Sequence, residues 1–120
     1  MNIEDFYTAP AHNAGRRIPL YAPDGSKTEH WLEVLGVDSD SYQKASLNMQ
    51  RDLSVIKEEV DREDLLHRYK NKLLASLISD WSFDQECTDE EKEKLLKNAP
   101  LIAKEVDLFA SNRDNFLKKK

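Results

Sequence analysis

The sequence predicts a mainly α-helical α+β fold in which a small N-terminal β-hairpin packs on amphipathic helices. Two observations lead to this expectation. Apolar residues recur every three or four positions through most of residues 40–117, which is the spacing of one face of a helix. A turn sequence between two short apolar segments precedes that region, which is typical of a hairpin. A chain of 120 residues fits one domain.

Composition and charge argue against nucleic-acid binding, membrane insertion and secretion. The 23 acidic and 18 basic residues give a formal net charge of −5, which opposes attraction to phosphate backbones. The longest apolar run, LLASLI at 73–78, is far shorter than the roughly 20 residues that span a bilayer. The N-terminal MNIEDFYTAP lacks the apolar segment of a secretory signal. We therefore expect a cytosolic protein with no nucleic-acid partner and no membrane partner.

The hairpin follows an N-terminal arm. Residues 1–15 show no sustained periodicity and are predicted to be irregular, whereas residues 16–117 form a single domain and residues 118–120 a basic tail. In RRIPLYAPDGSKTEHWLEVLG at 16–36, the PDG sequence predicts a turn, because Gly25 allows a positive φ. Strands are expected at about 17–22 and 29–35. Pro19 lacks an amide proton and favours an edge strand.

A long helical region follows the hairpin. In GVDSDSYQKA at 36–45, Asp38 or Ser39 can cap a helix start. From Tyr42 onward, apolar residues recur at helical spacing to Trp81 with no Gly or Pro between them. The pattern fits one helix over about 40–80 or two helices broken near residue 62. Such a long stripe in a small protein favours a partner chain, so we also expect self-association.

Two shorter helices complete the predicted fold. Thr88 and Glu91 have the spacing of a capping box, which predicts a helix over 88–98. The carboxylates around them, in DEE at 89–91, are favoured by the positive end of the helix dipole. Pro100 suits the first turn of a last helix over 100–117.

The sequence contains no recognisable catalytic, metal or cofactor motif. His12, His30, His67 and Cys87 do not share the spacing of metal ligands. The DSDS at 38–41 opens like a calcium loop, but Met49 stands where the bidentate glutamate is required. We expect no catalytic residue, no metal and no cofactor. An enzyme hypothesis would use Cys87 as a nucleophile with His67 as its base, or a pair of the clustered carboxylates.

Five residues are predicted to contact a partner protein. Trp81 and Phe83 follow the long helical region, and Phe109, Arg113 and Phe116 lie on the last predicted helix. Aromatic residues and Arg are enriched at binding hot spots. Aromatic side chains at a helix exit also commonly close a core. From the sequence, both roles stay open for these residues.

Four stretches, taken in order, carry a likeness to a known family. They are the PDG turn in LYAPDGSKTEHWLEVLGVDS, the helix entry GVDSDSY, the exit LISDWSF, and LLKNAPLIAKEVDLFASNRDNF near the C-terminus. Together they span about residues 16–117. The chain resembles the tail assembly chaperones of long-tailed bacteriophages of the lambda-like, siphovirus type.

The resemblance implies a non-enzymatic role in virion morphogenesis. Such a chaperone binds the tape measure protein in the host cytoplasm, assists assembly of the tail tube protein around it, and is absent from the mature virion. In many of these phages the gene also yields a longer, frameshifted product that provides the tail tube contact, and FLKKK at 116–120 is compatible with a slippery site. The alternative is a small helical adaptor or regulatory protein-binding module of an unrelated family.

Overall fold

The computed structural model describes residues 1–117. The mainly α, α+β fold predicted from the sequence is confirmed. In chain order the elements are a 3-10 turn Ile3–Phe6, α1 Ala9–Ala14, β1 Arg16–Tyr21, β2 Lys27–Val34, α2 Asp40–Ser54, α3 Glu59–Ala75, β3 Ile78–Trp81, α4 Asp89–Asn98, α5 Pro100–Ser111 and a 3-10 turn Arg113–Phe116.

Three antiparallel strands form one sheet in the order β1-β2-β3. β1 and β2 are the predicted hairpin, with Ile18 opposite Leu32. In the connecting turn Gly25 has a φ of +89°, and its amide donates to the Ala22 carbonyl at 2.8 Å. The hairpin is confirmed, and β1 lies at the edge of the sheet, as Pro19 indicated.

The third strand, β3, lies where the sequence predicts the end of a helix. α3 ends at Ala75, and Ile78–Trp81 pair with β2 so that Trp81 lies opposite Leu32. The Leu35 amide also donates to the Leu77 carbonyl at 2.7 Å. The predicted helix up to residue 80 is wrong over this strand. Pairing with β2, which is distant in sequence, outweighs the local helical spacing.

The predicted long helical region forms two helices, so the two-helix alternative is confirmed. The break lies at residues 55–58, before the predicted position near residue 62. Arg62 instead belongs to α3, and its Nη1 donates to the Leu53 carbonyl at 3.1 Å, which satisfies an acceptor at the end of α2. We call residues 40–73 the helical arm. Its whole length contains no fully buried side chain.

α4 and α5 begin where the capping signals predict. The Glu91 amide donates to the Thr88 hydroxyl at 3.2 Å, and Pro100 is the first residue of α5. α5 ends at Ser111 instead of residue 117. The Asn112 side chain accepts from the Asp114 amide at 3.1 Å and starts the second 3-10 turn, because a short amide side chain competes with the helical backbone. The predicted basic tail at 118–120 lies outside the described residues.

The core lies between the sheet and α5, with the end of α3 and one side of α4 closing it. Val106 and Ala110 of α5 are completely buried, and the Ala110 carbonyl accepts from the Val37 amide at 3.2 Å. Burial of these side chains is the main stabilising contribution. The core cluster comprises Ile18, Leu20, Leu32, Val34, Leu74, Ala75, Leu77, Ile78, Trp81, Leu96, Ala103, Val106 and Ala110.

The N-terminal segment differs from the predicted irregular arm at 1–15. Residues Ala9–Ala14 are helical, and His12 on this helix is only 1% exposed. The Gly36 amide donates to the His12 carbonyl at 3.1 Å. A Cβ atom at Gly36 would lie 1.9 Å from His12 Nδ1. The helix therefore packs closely on the backbone at Gly36, a long-range contact that local periodicity does not report.

Substituting Gly36 with Ala should displace the His12 imidazole. We expect the free energy of unfolding to fall by about 1–3 kcal/mol, the usual cost of overpacking a filled site, as measured by urea denaturation. In a His12→Ala background the same substitution should cost much less, because the side chain it meets is gone. An equal cost in both backgrounds would contradict this explanation.

Candidate functional site

Asp38 joins three segments that are distant in sequence. Its Oδ2 accepts hydrogen bonds from Thr8 Oγ1 at 2.5 Å and Arg113 Nε at 2.9 Å, and its Oδ1 accepts from Arg113 Nη2 at 2.8 Å. Its backbone amide donates to His12 Nδ1 at 3.0 Å. We call these four residues the Asp38 junction. The N-terminal segment, the entry to α2 and the second 3-10 turn meet there.

The junction has a well-defined protonation state. The hydrogen bonds from Arg113 and Thr8 hold the pKa of Asp38 well below its usual range, so this carboxylate is ionised at neutral pH. Burial lowers the pKa of His12, although the nearby Asp38 charge acts in the opposite direction. Because Nδ1 accepts a hydrogen bond, neutral His12 carries its proton on Nε2, which lies 3.8 Å from Asp38 Oδ2.

The Asp38 junction lacks the contact that nucleophilic catalysis requires. A nucleophilic hydroxyl or thiol must hydrogen-bond to its base, but the Thr8 hydroxyl donates to Asp38 and not to His12. Elsewhere, burial raises the pKa of the Cys87 thiol, which opposes formation of the reactive thiolate. Within residues 1–117, no three His, Cys, Asp or Glu side chains are grouped to hold a metal ion. The junction holds chain segments together.

The Asp38 junction also positions two aromatic side chains. Phe116 follows Arg113 in the 3-10 turn, is buried, and lies 4.5 Å from the His12 ring between ring centroids. Its ring meets Phe109 edge to face at 5.5 Å, a favourable arrangement for aromatic pairs. Asn115 Nδ2 donates to the Phe109 carbonyl at 2.9 Å. Phe116 therefore connects His12 of the junction to Phe109 at the end of α5.

An apolar groove lies between the edge strand β1 and α5. It has a volume of about 460 Å³. Leu108 is 61% exposed and Tyr21 is 52% exposed, so large apolar surfaces face solvent there. We call it the β1–α5 groove. The residues that line it are Ile18, Pro19, Tyr21, Glu105, Leu108, Phe109 and Asn115.

Exposed leucines extend this apolar surface along α5. Leu101, 73% exposed, precedes Leu108 by seven residues, so the two side chains lie on the same side of the helix. Val106 and Ala110 occupy the side that is buried against the core. The exposed side also carries the charged residues Lys104 and Glu105 between the two leucines, so it is partly apolar and partly charged. Sequence reasoning missed Leu108 and Tyr21, because their exposure depends on how α5 and β1 pack in the fold.

A second, smaller cleft lies beside Trp81 and Phe83. Trp81 is buried and its Nε1 donates to the Gln85 carbonyl at 2.7 Å. Phe83 is half-buried, meets Trp81 edge to face at 5.4 Å and lies 4.7 Å from the His30 ring. The cleft has a volume of about 300 Å³, and Leu95 of α4 also lines it. Trp81 closes the core here and Phe83 covers it.

The five predicted partner contacts thus occupy different environments. Trp81 and Phe116 are buried, and Arg113 is paired with Asp38. Phe83 and Phe109 are half-buried at the two openings just described. The structure does not bring the five together into one surface. Of these residues, Phe109 lines the same groove as the exposed side chains of Leu108 and Tyr21.

The stability of the folded protein should fall as the pH decreases from about 7 to about 5. Burial lowers the pKa of His12 in the folded state, so the unfolded chain takes up this proton first, near the usual pKa of about 6.5. Protonation then favours unfolding. Urea denaturation across this range should give a shallower pH dependence for His12→Gln than for the wild type. His67→Gln, a change at an exposed histidine, should keep the wild-type dependence. Equal slopes for the His12 variant and the wild type would refute the assignment.

No protein-family model matches this chain, and neither curated proteins nor solved structures give a match. Among the described residues, no helix is both long and apolar enough to cross a membrane. A functional assignment therefore depends on the geometry of the exposed surfaces and on the likeness of the sequence motifs.

Proposed function

We propose that this chain is a non-catalytic phage tail assembly chaperone that binds the tape measure protein and assists assembly of the tail tube. The observation that carries the proposal is the β1–α5 groove, with the exposed Leu108 in its lining and the exposed Leu101 two turns earlier on α5. Leu101 and Leu108 are both more than half exposed. Exposed apolar surface of this kind marks interaction sites.

The spacing of the two exposed leucines on α5 favours a helical ligand. The two exposed leucines lie two helical turns apart on α5, and an apolar stripe with this spacing matches that of an amphipathic partner helix. Phe109 lines the groove and packs edge to face against Phe116. A fixed aromatic side chain loses little conformational freedom on binding. The long tape measure protein that the resemblance implies would supply such helices.

Polar groups at the groove would orient the ligand. Glu105 and Asn115 are its polar lining residues, and the chain as a whole carries a net charge of −5. A partner helix with basic residues beside its apolar stripe fits this chemistry, because complementary charge at the rim of an interface favours correct association. In this proposal the protein acts in the host cytoplasm and dissociates before the virion is complete.

Co-expression with the tape measure protein of the same genome tests this proposal. We expect a soluble complex that Leu108→Asp weakens at least tenfold, because a carboxylate would be buried in an apolar contact. Ile3→Asp is the matched control, since Ile3 is 72% exposed in the first 3-10 turn, outside both the groove and the helical arm, and this variant should bind like the wild type. Complex formation is measured by size exclusion with light scattering.

Two results would count against this function. Absence of a complex with a folded wild-type chain would leave the small helical adaptor as the better description. Equal weakening by Leu108→Asp and Ile3→Asp would remove the β1–α5 groove as the contact surface. Circular dichroism of each free variant separates either result from unfolding.

A further inference from the structure

The helical arm is the largest part of the chain without a core of its own. From Asp40 to Leu73 no side chain is fully buried, although α2 contains Met49 and Leu53 at helical spacing and α3 contains Leu66. Amphipathic helices owe most of their stability to burial of the apolar face. An arm whose apolar side chains are all at least partly exposed is therefore incomplete as a packed unit.

Charges on α3 are divided between its two halves. Residues 58–64, which lead into and begin the helix, contain five carboxylates and only Arg62 as a base, whereas residues 67–75 contain Arg68, Lys70 and Lys72 and no acid. The helix dipole accounts for such charges in the first and last turns. It does not account for Glu63, which lies in the second turn of α3. Within residues 1–117, no side chain of α3 forms an ion pair.

One stripe of α3 combines these charges with apolar side chains. Glu63, Leu66, Lys70 and Leu73 follow one another at three- or four-residue spacing, so they share one side of the helix. Leu66 is 46% exposed. The stripe has an acidic residue before Leu66 and a basic residue after it. A second helix running in the opposite direction would meet each charge with its opposite.

We propose that two copies of this chain associate through their helical arms, with the two α3 helices antiparallel across a two-fold axis near Leu66. In this arrangement Glu63 of one copy lies beside Lys70 of the other, and the same contact recurs on the other side of the axis, as in an isologous interface. The half-exposed apolar side chains of both arms are covered together in a four-helix arrangement. A parallel arrangement would instead place Glu63 beside Glu63 and is disfavoured.

This interface is formed by other elements than the β1–α5 groove and does not depend on the proposed function. Leu108→Asp, which should weaken client binding, should leave the association of two copies unchanged. The two proposals can therefore fail independently.

Charge reversal tests the antiparallel arrangement. The wild-type chain should be a dimer at about 0.1 mM, as measured by size exclusion with light scattering. This concentration exceeds the dissociation constant that we expect, which is in the micromolar range. Glu63→Lys alone and Lys70→Glu alone should each weaken the dimer at least tenfold, because each places like charges together twice. An equimolar mixture of the two variants should again form dimers, as should the chain that carries both substitutions. Both positions are exposed, so the variants should fold.

Three results would overturn the proposal. A wild-type chain that stays monomeric at this concentration would indicate that the arm does not bind a second copy of this chain. A dimer insensitive to both single substitutions would place the interface elsewhere. Weakening without recovery in the mixture would exclude the contact between Glu63 and Lys70.

Discussion

The ionised carboxylate of Asp38 is the interaction that holds the N-terminal segment and the second 3-10 turn together. Thr8 precedes it by 30 residues and donates to Oδ2, and Arg113 follows it by 75 residues and donates to both oxygens. Hydrogen bonds to a charged group contribute more than neutral ones, and a buried group that loses its partner is costly. The contacts are therefore coupled: loss of Arg113 would leave the partly buried Asp38 carboxylate with the Thr8 hydroxyl as its side-chain donor.

This coupling connects the polar junction to the apolar surface. Arg113 anchors the second 3-10 turn to Asp38. Phe116 in this turn packs against Phe109, which lines the β1–α5 groove. The helical arm begins directly after Asp38 but contributes no buried side chain to the body. The molecule thus combines a packed part that presents a groove with a helical arm that has no fully buried side chain.

Local patterns predicted the parts of the fold that local chemistry determines. The turn at Gly25, the cap at Thr88 and the start of α5 at Pro100 all follow from short sequence signals. The strand β3 and the docked helix α1 did not, because both depend on partners distant in sequence. The candidate site also combines features that local sequence predicts with features that it does not. The sequence predicts Phe109 as an aromatic residue on a helix. The exposure of Leu108 depends on how α5 is oriented against the sheet, and periodicity alone does not report this orientation.

Native-state hydrogen exchange of an Asp38→Asn variant tests the central role of the junction most directly. The substitution keeps the side-chain shape and removes the charge that Arg113 pairs with. We predict that the amides of Gly36 and Val37, which bond to His12 and Ala110, lose protection together with those at the end of α5, while amides in the middle of α4 keep theirs. Wild-type protection at Gly36 and Val37 in the variant would contradict the account.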